Sequence, residues 1–167
     1  MATPRDIRRL ALLALYQLDA VPGVTPEDLR DSIEDLEGLK EEGLELVDGI
    51  GAVAPKDKDK AVATAIAAWE GRADADAEMT DLAPEWPTGR QAAIDRAILR
   101  LAHHEMTAGD SPPKAVVNEA VELAKQFSTE KSPAFVNALL GKVLKRLQGG
   151  ATSDEPTAPA PNQTTPS

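Results

Sequence analysis

Residues 113–147 read PKAVVNEAVELAKQFSTEKSPAFVNALLGKVLKRL and contain two amphipathic segments separated by a short polar break. In the first segment, apolar residues recur at steps of three and four, which is the spacing of one helical face. The positions expected to point inward are Val116, Val117, Ala120, Leu123, Ala124 and Phe127, and the outward ones are Lys114, Asn118, Glu122 and Lys125. The pattern predicts a helix over about 112–127.

The second segment predicts the last helix of the fold. Ser132 and Pro133 mark its start, because serine is a favoured N-cap and proline is tolerated in the first helical turn. The predicted core positions are Phe135, Val136, Leu139, Leu140, Val143, Leu144 and Leu147. Two adjacent helices of this kind favour a helix-on-helix core.

The same periodicity predicts further helices upstream, at about 4–19, 26–38, 39–53, 57–70 and 89–107. Thr25 and Thr88 are the expected N-caps of the second and last of these. In the helix over 39–53, the inward positions are Leu44, Val47 and Ile50, and residues 56–60 are interpreted as a solvated helix start. Residues 71–85 are acidic and show little periodicity, so we expect an exposed loop there.

The composition favours the all-α class. The chain has 167 residues, is rich in alanine and leucine, and holds only two Trp, two Phe and one Tyr, whereas strands favour aromatic and β-branched residues. It has no cysteine, which excludes disulfides, thiolate zinc sites and cysteine nucleophiles. No apolar run approaches the ~18 residues of a membrane span. Asp6, Tyr16 and Gln17 interrupt the resemblance of the N-terminus to a signal peptide, so we expect a cytoplasmic protein without a membrane partner.

The net charge of −10 is unevenly distributed along the chain. Residues 20–87 carry six basic and 18 acidic residues, whereas residues 88–148 carry nine basic and six acidic ones. An acidic protein of this kind can still present a basic surface. Residues 149–167 contain no aromatic or branched aliphatic residue, so we expect a folded domain over 1–148 and a disordered tail over 149–167.

Two blocks of the sequence resemble the NusB family. The smaller block holds Arg8, Ala11, Leu15, Tyr16, Gln17 and Asp19. The larger block comprises Trp86, Arg90, IDRAILRLA at 94–102, Glu105, PPK at 112–114, NEAVELAK at 118–125, EKS at 130–132 and FVNALL at 135–140. Pro87, the pair His103-His104, the acidic middle and the long tail depart from the family pattern.

The resemblance implies an all-α bundle of two helical subdomains and a role in transcription antitermination. Members of the family bind the boxA element of ribosomal RNA leaders together with NusE, a small-subunit ribosomal protein, within an RNA polymerase antitermination complex. In the family, RNA contacts involve the arginine-rich N-terminal segment and the starts of the last two helices. The partner surface involves the first helix and the helix that follows the tryptophan.

The expected RNA-binding residues are Arg5, Arg8, Arg9, Lys114, Lys131, Phe135 and Asn137. Cations at the start of a helix oppose its macrodipole, which suggests that they serve phosphate contact instead. The free N–H groups of helix starts also attract anions. Each residue has an ordinary alternative: a solvated helix start for the arginines, surface lysines, a core position for Phe135, and a structural cap for Asn137.

The expected partner-binding residues are Tyr16, Asp95, Arg96 and Glu105. For Asp95 the alternative is an ion pair four residues along its helix, but Leu99 occupies that position. For Tyr16 the alternative is a ring packed in the core with its hydroxyl at the edge of the core.

The sequence offers no catalytic grouping, so we expect neither an enzyme nor a cofactor. His103 and His104 are adjacent on a helix, where side chains point about 100° apart and cannot jointly hold a metal ion. A divergent adaptor that binds protein but not RNA is the competing function. The third interpretation is that the chain is the NusB-like domain of a ribosomal RNA methyltransferase. The short length of the chain argues against it. The apolar surfaces would also permit self-association.

Overall fold

The computed structural model describes residues 3–41, 53–109 and 111–149 of the chain. These ranges contain helices and no strand, which confirms the all-α class. The helices are α1 (Pro4–Ala20), α2 (Pro26–Glu41), α3 (Pro55–Glu70), α4 (Arg72–Leu82), α5 (Ala93–Ala108), α6 (Pro113–Phe127) and α7 (Ser132–Leu147), with a 3-10 turn at Thr88–Arg90. The chain divides into two compact units, Met1–Trp69 and Glu70–Ser167.

In the first unit, α1 begins with a capping box. The backbone N–H of Asp6 donates to the Thr3 hydroxyl at 3.1 Å, and the Asp6 carboxylate accepts from the Thr3 N–H at 2.9 Å. The two bonds satisfy N–H groups that a helix start leaves without partners. The predicted bounds are confirmed to within one residue, and Leu10, Leu12 and Leu15 are buried in the core.

Helix α2 begins as predicted, with Thr25 as its cap. The Thr25 hydroxyl accepts from the Asp28 N–H at 3.1 Å, while the Asp28 carboxylate accepts from the Thr25 N–H at 2.9 Å. These bonds favour the ionised carboxylate and hold the pKa of Asp28 below its ordinary value of 3.8. Leu29 and Ile33 follow one turn apart in the core.

Helix α3 confirms a helix start at residues 56–60, of which Lys56, Asp59 and Lys60 are exposed, but the interpretation as solvated is wrong at Lys58. Lys58 is only 9% exposed, and its ammonium lies 3.9 Å from the Glu34 carboxylate of α2. A lysine stem can be buried while its charged end reaches a partner. A second link between the two helices is the ion pair of Arg30 with Asp59.

Two sequence predictions fall largely outside the described residues. Of the helix predicted over 39–53, residues 39–41 belong to α2, whereas Leu44, Val47 and Ile50 lie outside the description. The tail predicted over 149–167 lies outside it except for Gly149.

In the second unit, α6 and α7 follow the predicted pattern closely. Every predicted inward residue of α6 is buried except Phe127, which is half-buried. In α7, the core runs from Phe135 to Val143, and Leu144 is half-buried. The prediction is wrong at Leu147, which is 47% exposed because the last residues of the helix extend beyond the core.

The prediction of a loop over 71–85 is wrong, because residues 72–82 form helix α4. Ala75, Met79 and Leu82 are buried at steps of four and three, so one narrow face of the helix packs inward. This short apolar stripe is masked in the sequence by the acidic residues around it.

Those acidic residues fasten α4 to its neighbours. The Arg100 guanidinium of α5 donates to both carboxylate oxygens of Asp76, at 2.9 and 2.7 Å. Arg146 of α7 lies 3.6 Å from Glu78 and 2.5 Å from Asp81, and His103 of α5 lies 3.3 Å from Glu78. Ion pairs across helices therefore hold a segment whose sequence alone suggests exposure.

Two predicted caps are also wrong. Thr88 does not cap α5, which begins at Ala93 without a side-chain cap; Thr88 is buried, and its hydroxyl lies 3.5 Å from the Asp76 carbonyl. Ser132 is the first residue of α7 rather than its N-cap, and its hydroxyl donates to Asp95 of α5. Both hydroxyls bond to a distant element instead of the nearby helix start.

Replacing Asp76 with alanine should show how strongly α4 depends on its ion pairs. The change leaves the buried Arg100 guanidinium without its bidentate partner, so we expect the free energy of unfolding to fall by about 2–3 kcal/mol. Asp74→Ala, at an exposed position of the same helix, should change it by no more than about 0.5 kcal/mol. Urea denaturation followed by circular dichroism measures both, and equal effects would contradict the assignment.

Candidate nucleic-acid and partner interface

The three arginines of α1 lie in the first unit, around a buried acid. Arg5 is exposed, while Arg8 and Arg9 are half-buried. Arg9 lies 3.4 Å from the carboxylate of Asp6, which also caps the helix. Asp6 thereby offsets part of the unfavourable interaction between these cations and the helix dipole. The cluster combines a structural role for Arg9 with an outward cation at Arg5.

The two lysines lie in the second unit, each beside a helix start. Lys114 is exposed in the first turn of α6, and Lys131 is exposed at the N-cap position of α7. Neither helix has a capping hydrogen bond from the side chain of its N-cap residue. Helix starts of this kind present N–H groups and a positive dipole end to an anion. Each lysine therefore adds a charge to a position that already favours phosphate.

These two positions are separate rather than one site. Lys114 begins α6 and Lys131 follows its end, and the helix has 15 residues. At a rise of ~1.5 Å per residue, about 20 Å of helix lies between them. A single phosphate cannot contact both lysines, but an extended strand could meet each in turn.

Phe135 is not available to a nucleic acid, so its inclusion among the RNA-binding residues is wrong. Its side chain is 0% exposed, and a base can stack only on a ring with an accessible face. The core position that the sequence left open as the alternative is the one it occupies. Asn137, two residues further along α7, is exposed.

Asp95 is likewise buried, with 0% exposure, so its assignment to a partner surface is wrong. Ser128 donates to its Oδ1 at 2.7 Å and Ser132 to its Oδ2 at 2.8 Å. The bonds join α5 to residues 33 and 37 positions later in the chain. No local spacing in the sequence indicates such a link.

The other partner-binding candidates differ in exposure. Tyr16 in the first unit is 41% exposed, so it is not the core residue that the alternative proposed. Arg96 is half-buried and donates to the carbonyls of Thr88 and Gln91, at 3.2 and 3.5 Å, which holds the turn before α5. Glu105 is half-buried on α5.

Trp86 and Arg90 form a further contact at the turn before α5. The Arg90 guanidinium carbon lies 5.6 Å from the centre of the buried Trp86 ring, within the range of a cation–π interaction. Arg90 itself is exposed. The pair was part of the family resemblance, but its role was not predicted.

Within the described residues, no group of three or more His, Cys, Asp or Glu side chains is arranged to hold a metal ion, and His103 faces Glu78. None of the helices among the described residues is long and apolar enough to cross a membrane.

The described residues of both units form an all-α protein, and the candidate basic residues lie at the starts of α1, α6 and α7. Residues 5–145 match the NusB family, and the chain belongs to that family. It is similar to the transcription antitermination protein NusB of Symbiobacterium thermophilum, with 37% identity over 164 residues that cover 90% of this chain and 95% of the relative.

Solved structures agree with this assignment. The structure of T. maritima NusB has a TM-score of 0.66 at 28% identity, covering 87% of this chain and 93% of that one. A structure of the antitermination factors NusB and NusE in complex with dsRNA has a TM-score of 0.64 at 22% identity, covering 85% and 96%. The second likeness concerns the fold alone.

Truncating Phe135 should separate its core role from RNA contact. Phe135→Ala removes a fully buried ring, so we expect the free energy of unfolding to fall by about 3–5 kcal/mol. Asn137→Ala, at an exposed position of the same helix, should change it by less than about 0.5 kcal/mol. Thermal and urea denaturation measure both. A Phe135→Ala protein with wild-type stability but weaker RNA binding would contradict the core assignment.

Proposed function

We propose that this protein is a transcription antitermination factor that binds boxA-type RNA of ribosomal RNA leaders together with NusE and so supports ribosome biogenesis. The observation that carries the proposal is the match along 90% of the chain to a curated transcription antitermination protein. The likeness in fold to a NusB–NusE–dsRNA complex supports the choice of partners. In this proposal the protein acts by binding, as part of an RNA polymerase complex, and not by catalysis.

The proposed RNA-binding residues form two sets, one in each unit, of exposed and half-buried polar side chains in the first two turns of a helix or beside its start. The set of the first unit is Arg5, Arg8 and Arg9, and the set of the second is Lys114, Lys131 and Asn137. Cationic side chains and helix N-termini are the usual donors to phosphate oxygens, and they position a protein on its nucleic acid. The candidate partner-binding residues are the exposed Tyr16 of the first unit and, separately, the half-buried Arg96 and Glu105 of the second.

A protein-only adaptor is the second candidate function. Two observations favour it: the excess of 12 acidic residues over basic ones in residues 20–87, and the pairing of Arg9 with Asp6. A long-range negative field would weaken RNA binding, and an engaged arginine contributes less charge to a ligand. The two functions differ in whether RNA binds directly and whether it strengthens the complex with NusE.

Salt dependence tests RNA binding directly. If three to five of the proposed cations contact phosphates, log K should fall against log salt with a slope of about −2 to −3.5, at roughly −0.7 for each contact on a single strand. Lys114→Ala and Lys131→Ala should each make the slope shallower by up to about 0.7. Fluorescence anisotropy with a boxA-like RNA oligonucleotide measures these slopes.

Lys125→Ala is the matched control, because Lys125 is an exposed lysine of α6 that pairs with Glu122 at 3.2 Å, away from a helix start. It should leave the slope unchanged. A flat titration of the wild-type protein would overturn RNA binding and favour the adaptor.

Tyr16 provides a test of the partner surface. Exposed aromatic rings are common energetic centres of interfaces, where their truncation costs about 2 kcal/mol or more. Tyr16→Ala should therefore weaken NusE binding by about tenfold or more, since ~1.4 kcal/mol is tenfold in affinity. Tyr16→Phe retains the ring and should lose less. Calorimetric titration measures both, and NusE binding by Tyr16→Ala at wild-type affinity would place the partner elsewhere.

A further inference from the structure

Asp95 binds both ends of the connection between α6 and α7. Ser128 follows the last residue of α6, and Ser132 is the first residue of α7. Their hydroxyls donate to separate oxygens of the Asp95 carboxylate, at 2.7 and 2.8 Å, and lie 2.8 Å from each other. The Asp95 carboxylate of α5 therefore links the end of α6 to the start of α7.

The residues between these two anchors are exposed. Thr129, Glu130 and Lys131 form the connection, and all three side chains face solvent. Within the loop, the Ser132 N–H donates to the Thr129 carbonyl at 3.1 Å. The exposed segment is thus held at both ends by a hydrogen-bonded network in which Asp95 and Ser132 are buried and Ser128 is half-buried.

If a stable core were the only requirement, a buried carboxylate at this position would be energetically unfavourable. A buried ionised group loses its hydration, and hydrogen bonds only partly offset that loss. Asp95 lies in the first turn of α5, where the helix dipole favours a negative charge. Charge-assisted bonds from hydroxyls are short and directional. A leucine would fill the space but could not orient the two serines.

Loop orientation matters to the proposed RNA surface because Lys131 occupies the N-cap position of α7. A cation held in its binding conformation loses less conformational freedom when a ligand arrives, which strengthens binding. Ser132, the first residue of α7, is held by the same network. Asp95 can therefore act on RNA through residues that it anchors, without touching RNA.

We propose that Asp95 is a positioning residue for RNA binding: its buried carboxylate holds Ser128 and Ser132 and thereby presents Lys131 and the start of α7 to a phosphate of the bound strand. This inference rests on the proposed function, and it extends that function from the exposed cations to a buried acid.

The test compares four variants of the full chain in two measurements. Asp95→Leu removes both acceptors, and Ser128→Ala removes one anchor with a smaller change in the core. Asp95→Asn can still pair with both hydroxyls, because its oxygen accepts and its amide donates. Thr88→Val is the matched control, since Thr88 is another buried hydroxyl of the second unit that reaches Asp76 rather than this loop.

Amide hydrogen exchange of residues 129–132 measures the conformation of the loop. A boxA-like single-stranded RNA oligonucleotide measures affinity and its salt slope. In Asp95→Leu we expect exchange about tenfold faster, affinity about tenfold lower and a slope shallower by about 0.7, the value of one phosphate contact. Ser128→Ala should also speed exchange, lower the affinity and make the slope shallower. Asp95→Asn should retain most of the wild-type affinity.

The outcomes distinguish the two proposals. Equal losses of affinity in Asp95→Leu and Thr88→Val would show a general effect of stability and overturn the positioning role. Faster loop exchange without loss of RNA affinity in Ser128→Ala would also overturn it. Failure of the wild-type protein to bind the oligonucleotide at low salt would instead overturn the proposed function, and the positioning role with it.

Discussion

The second unit depends on two buried charged side chains of α5, which point to different neighbours. Asp95 accepts from the serines that flank the α6–α7 connection, and Arg100 forms a bidentate pair with Asp76 of α4. Between them along the helix lie Ala97, Ile98 and Leu99, which are buried in the apolar core. Apolar packing alone leaves the relative position of helices adjustable, whereas directional polar contacts restrict it. Helix α5 therefore orients α4 and the loop as well as packing against them.

The internal ion pairs change how the charge of the chain should be understood. Residues 88–148 carry nine basic residues, but Arg100 and Arg146 are engaged with the acidic residues of α4. A net charge counted by segment treats these arginines as available to a ligand. In the structure, Arg100 and Arg146 pair with acidic residues of α4. The exposed positive charge at helix starts of this segment is that of Lys114 and Lys131. A basic surface is thus smaller, and more localised, than the segment total suggests.

Periodicity predicted the helices whose stability comes from a broad apolar face. Helices α6 and α7 have such faces, and the Thr25 cap of α2 is a local signal that the structure confirms. Helix α4 was missed because its apolar stripe has three residues, and because the ion pairs that join it to α5 and α7 involve residues 24 or more positions away. Contacts of that kind have no signature in local spacing.

The candidate site was less predictable than the fold, for a related reason. Asp95 and Phe135 were assigned from a family resemblance, yet both are buried. A resemblance indicates that a residue type recurs at a position, but it does not distinguish a side chain that touches a ligand from one that supports its neighbour. The distinction requires burial and partners, which only the three-dimensional arrangement supplies.

The burial of Phe135 also limits how this protein could recognise a particular RNA sequence. Phosphate contacts fix the position of a strand, whereas base contacts read its sequence. Without the Phe135 ring as a stacking platform, the proposed RNA binding would have to read bases in the second unit through exposed polar groups, and Asn137 is the first of these after Lys131 along α7. An amide can both donate to and accept from a base edge, so it discriminates by hydrogen-bond pattern rather than by stacking. In the same proposal Lys114, about 20 Å of helix away, would fix the strand at a second point, and two fixed points would define the register of the bases between them.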